Sequence, residues 1–182
     1  RGYGESDKPH EISEYTMKKL TADVVGIADA LGYDEAITIG HDWGGPIALN
    51  TAALYPDRIR ATGTMSVPYM GRGPMPLLDL WKEIYKDKFF YQLYFQTEGI
   101  AEKEFEEDLQ RSLRMIYSNS DGRGMQNSLD KMQGGLNPEK GPDASFLEGM
   151  EEYEELPEWL SQDDLDYFVS QFEMSGMRGP IN

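Results

Sequence analysis

The spacing of apolar residues predicts four elements in the first 70 residues. Apolar side chains recur every three or four positions from residue 15 to a stop at Gly32, which predicts an amphipathic helix. Strand-like runs follow at 36–39 and 59–67, with an Ala- and Leu-rich helical segment, 46–55, between them. The order helix, strand, helix, strand predicts an α/β fold with a parallel sheet flanked by helices.

The remaining residues, 71–182, show helical spacing. One helix is predicted from a stripe of four apolar residues at helical spacing, Phe105, Leu109, Leu113 and Ile116. Another helix is predicted to begin after Ser161, because Ser161 and Asp164 have the spacing of a capping box.

A change of composition near residue 70 predicts a domain boundary. Three prolines and two glycines fall within 68–76, and such clusters interrupt regular elements. We predict part of an α/β core at 1–70 and a mostly helical domain at 71–182. The second region carries 23 of the 33 acidic side chains, so the two regions have different surfaces.

Composition excludes several classes of function. The formal net charge of -16 disfavours nucleic acid and anionic membrane surfaces as partners, because both repel an acidic protein. The absence of cysteine excludes disulfides and thiolate chemistry. No apolar run approaches the ~20 residues of a membrane span. We expect a soluble, cytoplasmic protein with no metal site and no cofactor.

The segment 40–45, between a predicted strand and a predicted helix, has the form of a nucleophile elbow. Such a turn needs small residues two positions before and two positions after the nucleophile, here Gly40 and Gly44 around Asp42. An Asp before a helix is also a common N-cap, which is the plain alternative. The flanking glycines favour the nucleophile, because a cap does not need them.

An aspartate at this position changes the chemistry from that of a serine esterase. A carboxylate displaces a leaving group from saturated carbon and forms an ester that water then cleaves. The N–H of Trp43, the next residue, is the expected oxyanion donor. The two histidines, His10 and His41, are not candidate bases: His10 lies in a predicted loop, and His41 is adjacent to Asp42 and points away from it.

The motifs together resemble the bacterial-type soluble epoxide hydrolases of the α/β-hydrolase fold. The similarity covers nearly the whole chain, and its strength lies in the order and spacing of six segments: 1–9, 40–45, 55–58, 66–69, 89–96 and 176–182. It implies an α/β-hydrolase core with a helical cap or lid, and conversion of apolar epoxides and water to vicinal diols through a covalent ester of Asp42.

The resemblance also implies roles for individual residues. Asp42 matches the nucleophile, and Trp43 matches the residue that supplies an oxyanion-hole N–H and part of the substrate pocket. Tyr91 matches a cap tyrosine that donates a hydrogen bond to the epoxide oxygen. Phe89 and Pro68 match pocket walls.

Other parts of the family pattern are not found in these 182 residues: a second cap tyrosine, a His-Gly-X-Pro loop, and the acid and histidine that activate water. We therefore expect an internal part of a longer enzyme, with a cap incomplete at its C-terminus and no turnover by itself. Two other functions stay open. A haloalkane dehalogenase shares the fold and the Asp nucleophile but lacks segments 89–96 and 176–182. A non-catalytic binding protein built on a decayed hydrolase is the alternative outside enzymes.

Overall fold

The computed structural model describes residues 1–71, 73–122, 124, 126 and 140–182. The chain divides into two compact units. The first unit is Arg1 with Pro9–Pro74, and the second is Gly2–Lys8 with Met75–Asn182. The domain boundary predicted near residue 70 stays a prediction.

The first unit contains strands and helices in the predicted order. They are α1 (Met17–Ala30), β1 (Ala36–His41), α2 (Gly44–Leu54) and β2 (Ile59–Met65), with a 3-10 turn, Ile12–Tyr15, before α1. β1 and β2 pair in parallel, with Ile39 opposite Gly63. The α/β class and the parallel pairing predicted from the order of elements are confirmed.

Local backbone geometry explains where these elements end. Tyr15 closes the 3-10 turn, so α1 begins at Met17 rather than at residue 15. β2 ends at Met65, two residues before the predicted end, because Ser66 has φ 70° and leaves the extended region. Gly32, at φ 78°, lies just after α1 as predicted.

The helices of the first unit pack on one face of its described strands. α2 contacts both strands, and α1 contacts α2. Val25 of α1 and Ala48 of α2 are buried. The other face of β1 is exposed, at 64% for Ile37 and 70% for Ile39. The expectation of flanking helices is therefore met on one face of the described sheet.

The second unit is helical in its described residues. Its helices are α3 (Leu77–Ile84), α4 (Tyr91–Tyr94), α5 (Ile100–Glu107), α6 (Leu109–Asn119), α7 (Gln162–Ser175) and α8 (Arg178–Ile181). Ser161 accepts a hydrogen bond from the Asp164 N–H, and the Asp164 carboxylate accepts one from the Ser161 N–H, so the capping box before α7 is confirmed.

The predicted stripe from Phe105 to Ile116 does not lie on one helix. Asp108 interrupts it with φ -146° and ψ 88°, outside the helical region. Its carboxylate accepts from the Arg111 N–H at 2.9 Å, so Asp108 is the N-cap of α6. The prediction of a continuous stripe was wrong because an N-cap residue occurs where the helical spacing continues.

The core of the second unit is built from α5, α6, the segment before α7 and the turn between α7 and α8. It contains Ala101, Phe105, Met115, Leu147 and Met177, all buried. An ion pair lies beside it: Arg178 Nη1 is 2.7 Å from Glu102 Oε1, with 15% and 11% of the two side chains exposed. In the part of the chain that the structure describes, no helix has both the length and the apolar character needed to cross a membrane.

Candidate active site

Asp42 occupies the short turn between β1 and α2. β1 ends at His41 and α2 begins at Gly44, so Asp42 and Trp43 are the only residues between them. Asp42 has φ 52°, in the left-handed region that few non-glycine residues adopt. Such backbone conformations are sparsely populated and often occur at functional sites. The structure thus places the predicted nucleophile on a tight strand-to-helix turn.

Gly40 lets the end of the strand approach the beginning of the helix. A Cβ atom on Gly40 would overlap the backbone carbonyl of Gly44, which cannot move aside as a side chain could. A Cβ on Gly44 itself would meet no described atom within 4 Å. The predicted need for a small residue is therefore met by Gly40, and the same prediction for Gly44 was wrong. A Cβ on Gly45 would lie 3.3 Å from the Val67 carbonyl oxygen, so Gly45 is the closer contact on the helix side.

The carboxylate of Asp42 is held by the following residue. The Trp43 N–H donates to Asp42 Oδ1 at 2.7 Å. The Asp42 N–H donates to the Met65 carbonyl at 3.2 Å, and its carbonyl accepts from the Gly45 N–H at 2.9 Å. The N-cap position of α2 is Trp43, without a side-chain cap bond. Asp42 therefore does not make the bond of an N-cap aspartate to the second or third helical N–H.

The other predicted residues of the first unit lie near this turn in the chain. Trp43 is 56% exposed. Pro68 is exposed and follows Val67, whose carbonyl faces Gly45 at the start of α2. His41 alternates with Ile37 and Ile39 on the exposed side of β1.

Tyr91 lies in the second unit, at the first residue of α4. Its hydroxyl oxygen is 3.0 Å from Gln92 Nε2. Its ring packs against Phe95, with centroids 5.6 Å apart, and against Phe146, at 6.4 Å. The ring of Phe89 also packs against Phe146, at 6.5 Å. The two predicted cap residues, Phe89 and Tyr91, therefore both pack against the ring of Phe146.

A second hydrogen-bond cluster beside these rings was not predicted. Glu104 of α5 accepts from the Tyr94 hydroxyl at 2.7 Å and from the N–H groups of Phe146 and Leu147 at 3.0 and 2.9 Å. Lys140 donates to the carbonyls of Ser145 and Phe146. Its Nζ lies 4.8 Å from the centroid of the Phe89 ring. Glu104 and Lys140 thus fix the backbone that carries Phe146.

Burial and hydrogen bonds change the acidity of this cluster. Burial, followed by the bond to Glu104, raises the pKa of Tyr94 above its ordinary value. Burial lowers the pKa of Lys140. For Glu104 burial acts to raise the pKa, but the hydrogen bonds it accepts outweigh burial, and the net pKa is lowered. Glu104 is therefore an ionised acceptor at neutral pH, and Tyr94 keeps its proton.

Nothing in the sequence separates Glu104 from its neighbours. Helix α5 contains four glutamates, and the partners of Glu104 lie 42 and 43 residues further along the chain. In the described part of the chain, no three His, Asp or Glu side chains come together as a group able to hold a metal ion.

Comparison with known proteins relates this chain to a large enzyme fold. Residues 1–169 match the alpha/beta hydrolase fold family. The whole chain is 37% identical to Epoxide hydrolase A of Mycobacterium tuberculosis, covering 55% of that protein. It is also 37% identical to Bifunctional epoxide hydrolase 2 of Sus scrofa, covering 31%.

Solved structures agree with these relatives. The crystal structure of Epoxide Hydrolase A from Mycobacterium thermoresistibile matches with a TM-score of 0.86 at 35% identity. An epoxide hydrolase from an endophytic Streptomyces matches with a TM-score of 0.87 at 36% identity. Both matches cover all of this chain and 55% and 53% of the other chains, so the chain spans about half the length of these proteins. The chain belongs to the alpha/beta hydrolase fold family.

Proposed function

We propose that this chain is part of an epoxide hydrolase in which Asp42 is the nucleophile. The observation that carries the proposal is an aspartate, rather than a serine, on a strand-to-helix turn at φ 52°, with one carboxylate oxygen held by the Trp43 N–H. Similarity to proteins named epoxide hydrolases over the whole chain supports the same reaction. A carboxylate on such a turn suits attack at a saturated carbon.

The hydrogen bond from Trp43 assigns different roles to the two carboxylate oxygens of Asp42. Oδ1 is held by the Trp43 N–H, and Oδ2 has no partner among the described residues of its unit. We assign Oδ2 to the attack on the epoxide carbon. The Oδ2–C bond forms as the ring C–O bond breaks, and the ring oxygen becomes an alkoxide.

The second half of the reaction uses the oxygen that Trp43 holds. Water attacks the carboxyl carbon of the ester, and negative charge develops on Oδ1, where the Trp43 N–H stabilises it. The bond from the carboxyl carbon to Oδ2 then breaks, and the diol leaves with that oxygen. In this proposal a histidine and an acid outside these 182 residues activate the water.

Tyr91 is the proposed donor to the opening ring oxygen. A phenol O–H stabilises the alkoxide and transfers its proton to it. Another tyrosine of the same helix, Tyr94, is less suited to this role because its hydroxyl already donates a hydrogen bond to Glu104. The aromatic rings around Tyr91 and Phe89 favour an apolar epoxide as substrate. Trp43 of the first unit is proposed as a further residue that contacts it. Pro68 is proposed as a further pocket wall. A cytoplasmic location stays a prediction.

Oxygen labelling in the complete protein tests the covalent step. In a single turnover in heavy-oxygen water, the diol should contain no label, and the label should appear in the carboxylate of Asp42. Label in the diol after a single turnover contradicts the ester. Asp42→Asn should abolish diol formation, whereas Asp57→Asn, an exposed acid of the same unit, should leave it unchanged.

A parallel assay separates the alternatives. Halide release from a haloalkane, with no diol formed from any epoxide, would assign the chain to a dehalogenase. Binding of an epoxide without turnover of either substrate class would favour the binding-protein alternative.

A further inference from the structure

The side-chain amide of Gln92 lies between two aromatic residues and bonds to both. The Trp81 indole nitrogen Nε1 is 2.9 Å from Gln92 Oε1, and Gln92 Nε2 is 3.0 Å from the Tyr91 hydroxyl oxygen. Trp81 lies on α3, and Gln92 is the second residue of α4. All three side chains are partly buried. They form a short chain of hydrogen bonds that ends at the proposed proton donor.

Elementary hydrogen-bond chemistry fixes the direction of this chain. An indole N–H is only a donor, so the amide oxygen of Gln92 must face Trp81. The amide nitrogen therefore faces Tyr91, and an amide nitrogen is also only a donor. The Tyr91 hydroxyl oxygen must accept this bond. Its own proton is then directed to another acceptor.

The hydroxyl of Tyr94, three residues away, donates a hydrogen bond where that of Tyr91 accepts one. Its hydroxyl donates to Glu104 Oε2 at 2.7 Å, and an ionised carboxylate is only an acceptor. The proton of Tyr94 is thus used inside the unit. Tyr91 and Tyr94 lie on the same short helix but have different partners. The Tyr94 hydroxyl donates its hydrogen bond within the unit, whereas the Tyr91 hydroxyl can donate its hydrogen bond to a substrate.

Packing holds the first residue of the hydrogen-bond chain in place. The ring of Trp81 meets Phe90 edge-on, with centroids 5.2 Å apart, and meets Tyr85 in the same way at 5.8 Å. Edge-to-face aromatic contacts restrict the orientation of the indole. The N–H that sets the orientation of the Gln92 amide is therefore fixed by its neighbours.

We propose that Gln92, oriented by Trp81, is a positioning residue that makes Tyr91 a proton donor toward the substrate oxygen. The inference rests on the proposed role of Tyr91. The amide N–H also stabilises the negative charge that develops on the Tyr91 oxygen as its proton moves to the substrate.

Two substitutions at Gln92 distinguish this role from simple packing. Gln92→Leu removes the donor, and kcat should fall about three- to tenfold, the value of one neutral hydrogen bond. Gln92→Glu keeps the shape and still accepts from Trp81, but its second oxygen accepts the Tyr91 proton. Its kcat should fall further, about ten- to a hundredfold, with KM little changed. A packing role predicts the reverse order, because Glu is the closer replacement in shape.

A double-mutant cycle separates an effect through Tyr91 from a folding defect. In a Tyr91→Phe background, Gln92→Glu should cause almost no further loss, because the group through which it acts is gone. A full additional loss in that background overturns the inference. Gln96→Glu is the matched control. The side chain of Gln96 is exposed and, among described partners, bonds only to the Gln92 backbone carbonyl, so the substitution should leave kcat unchanged.

A spectroscopic readout tests the hydrogen-bond chain without turnover. In the complete protein, the indole N–H proton resonance of Trp81 should move to higher field in Gln92→Leu and keep its low-field position in Gln92→Glu and Gln96→Glu. An unchanged Trp81 resonance in Gln92→Leu contradicts the hydrogen bond and overturns the inference.

The failure of the proposed function gives a different pattern. If Tyr91→Phe leaves kcat unchanged, Tyr91 is not the donor, and the inference is overturned together with that role. If Tyr91→Phe is costly but Gln92→Glu is no worse than Gln92→Leu, the role of Tyr91 is retained and the inference alone is overturned.

Discussion

In the first unit Asp42 is held by backbone geometry, whereas in the second unit Tyr91 is held by side chains. Asp42 has a left-handed φ, and the close approach of strand and helix depends on a missing Cβ at Gly40. Tyr91 is held by aromatic rings and by an amide that is itself held by Trp81. The two candidate groups therefore depend on different kinds of interaction.

This difference determines how each unit responds to substitution. Where the backbones of a strand and a helix lie close together, no flexible side-chain atoms can move aside. One added methyl group therefore disturbs the whole turn. A side-chain network has several members, and each contributes a part of the stability. We expect fewer but larger effects in the first unit and more numerous, moderate effects in the second.

The largest effect is expected for Gly40→Ala. The new Cβ would overlap the Gly44 carbonyl, and separating strand and helix should cost about 3 kcal/mol or more in the free energy of unfolding. Gly44→Ala is the control on the same turn: its Cβ meets nothing within 4 Å, and alanine favours the helix. Thermal melts of the complete protein compare the two. Equal destabilisation by both would contradict the steric argument.

A smaller loss, about 2–3 kcal/mol, is expected for Glu104→Gln. The substitution removes the charge that accepts from Tyr94, Phe146 and Leu147, and hydrogen bonds to charged groups contribute about 1.5–3 kcal/mol. Denaturant unfolding measures the change. Glu107→Gln, an exposed glutamate on the same helix, should change the free energy of unfolding by less than about 0.5 kcal/mol. Similar losses for both variants would show that Glu104 is not special.

Low pH should reduce the stability of the second unit through the carboxylates of Glu102 and Glu104. In both Glu102 and Glu104 burial acts to raise the pKa, but hydrogen bonds, from Arg178 in the case of Glu102, lower the net value. A lowered folded-state pKa gives stability that is complete above the ordinary Glu pKa of about 4.3 and is lost as the pH falls through the folded value.

The measurement is the thermal midpoint between neutral pH and about pH 3.5. The midpoint of the unsubstituted protein should fall more steeply below about pH 4.3 than that of Glu104→Gln, which lacks one of the two groups. Parallel curves for the two proteins would exclude Glu104 from the acid response.

The smallest change in the free energy of unfolding is expected for substitutions at two helix N-termini. Ser161 caps α7 with a reciprocal capping box, so Ser161→Ala should cost about 1 kcal/mol. Thr16 occupies the N-cap position of α1 without a side-chain bond, so Thr16→Ala should cost a few tenths of that at most. Chemical unfolding of both variants gives the difference. A larger loss for Thr16→Ala would reverse the comparison.

The sequence predicted the candidate site of the first unit because its constraints are local. A strand pattern, a glycine and an aspartate within six residues define the turn around Asp42, and the same glycine explains the approach of β1 and α2. The open space at Gly44 was not predictable, because it depends on the direction of a Cβ that the sequence does not contain.

The second unit was less predictable because its contacts link distant parts of the chain. The bonds from Glu104 to the backbone near Phe146 cross 42 residues, and no local pattern indicates them. The interruption at Asp108 did have a signal, since Asp is a preferred N-cap, but the helical spacing across it favoured one continuous stripe. The role proposed for Tyr91 came from resemblance to a family, and its hydrogen bond with Gln92 is a side-chain contact that no sequence pattern indicates.

In the turn at Asp42, the residue that limits the packing of strand and helix is not the residue that carries the reactive group. The overlap that limits substitution falls on Gly40, whereas position 42 is limited mainly by its φ of 52°. Asp and Asn adopt that conformation easily, and another residue such as Ser incurs a strain of roughly 1–2 kcal/mol. A lineage that keeps the glycine can therefore exchange the side chain at position 42 at a modest cost in stability.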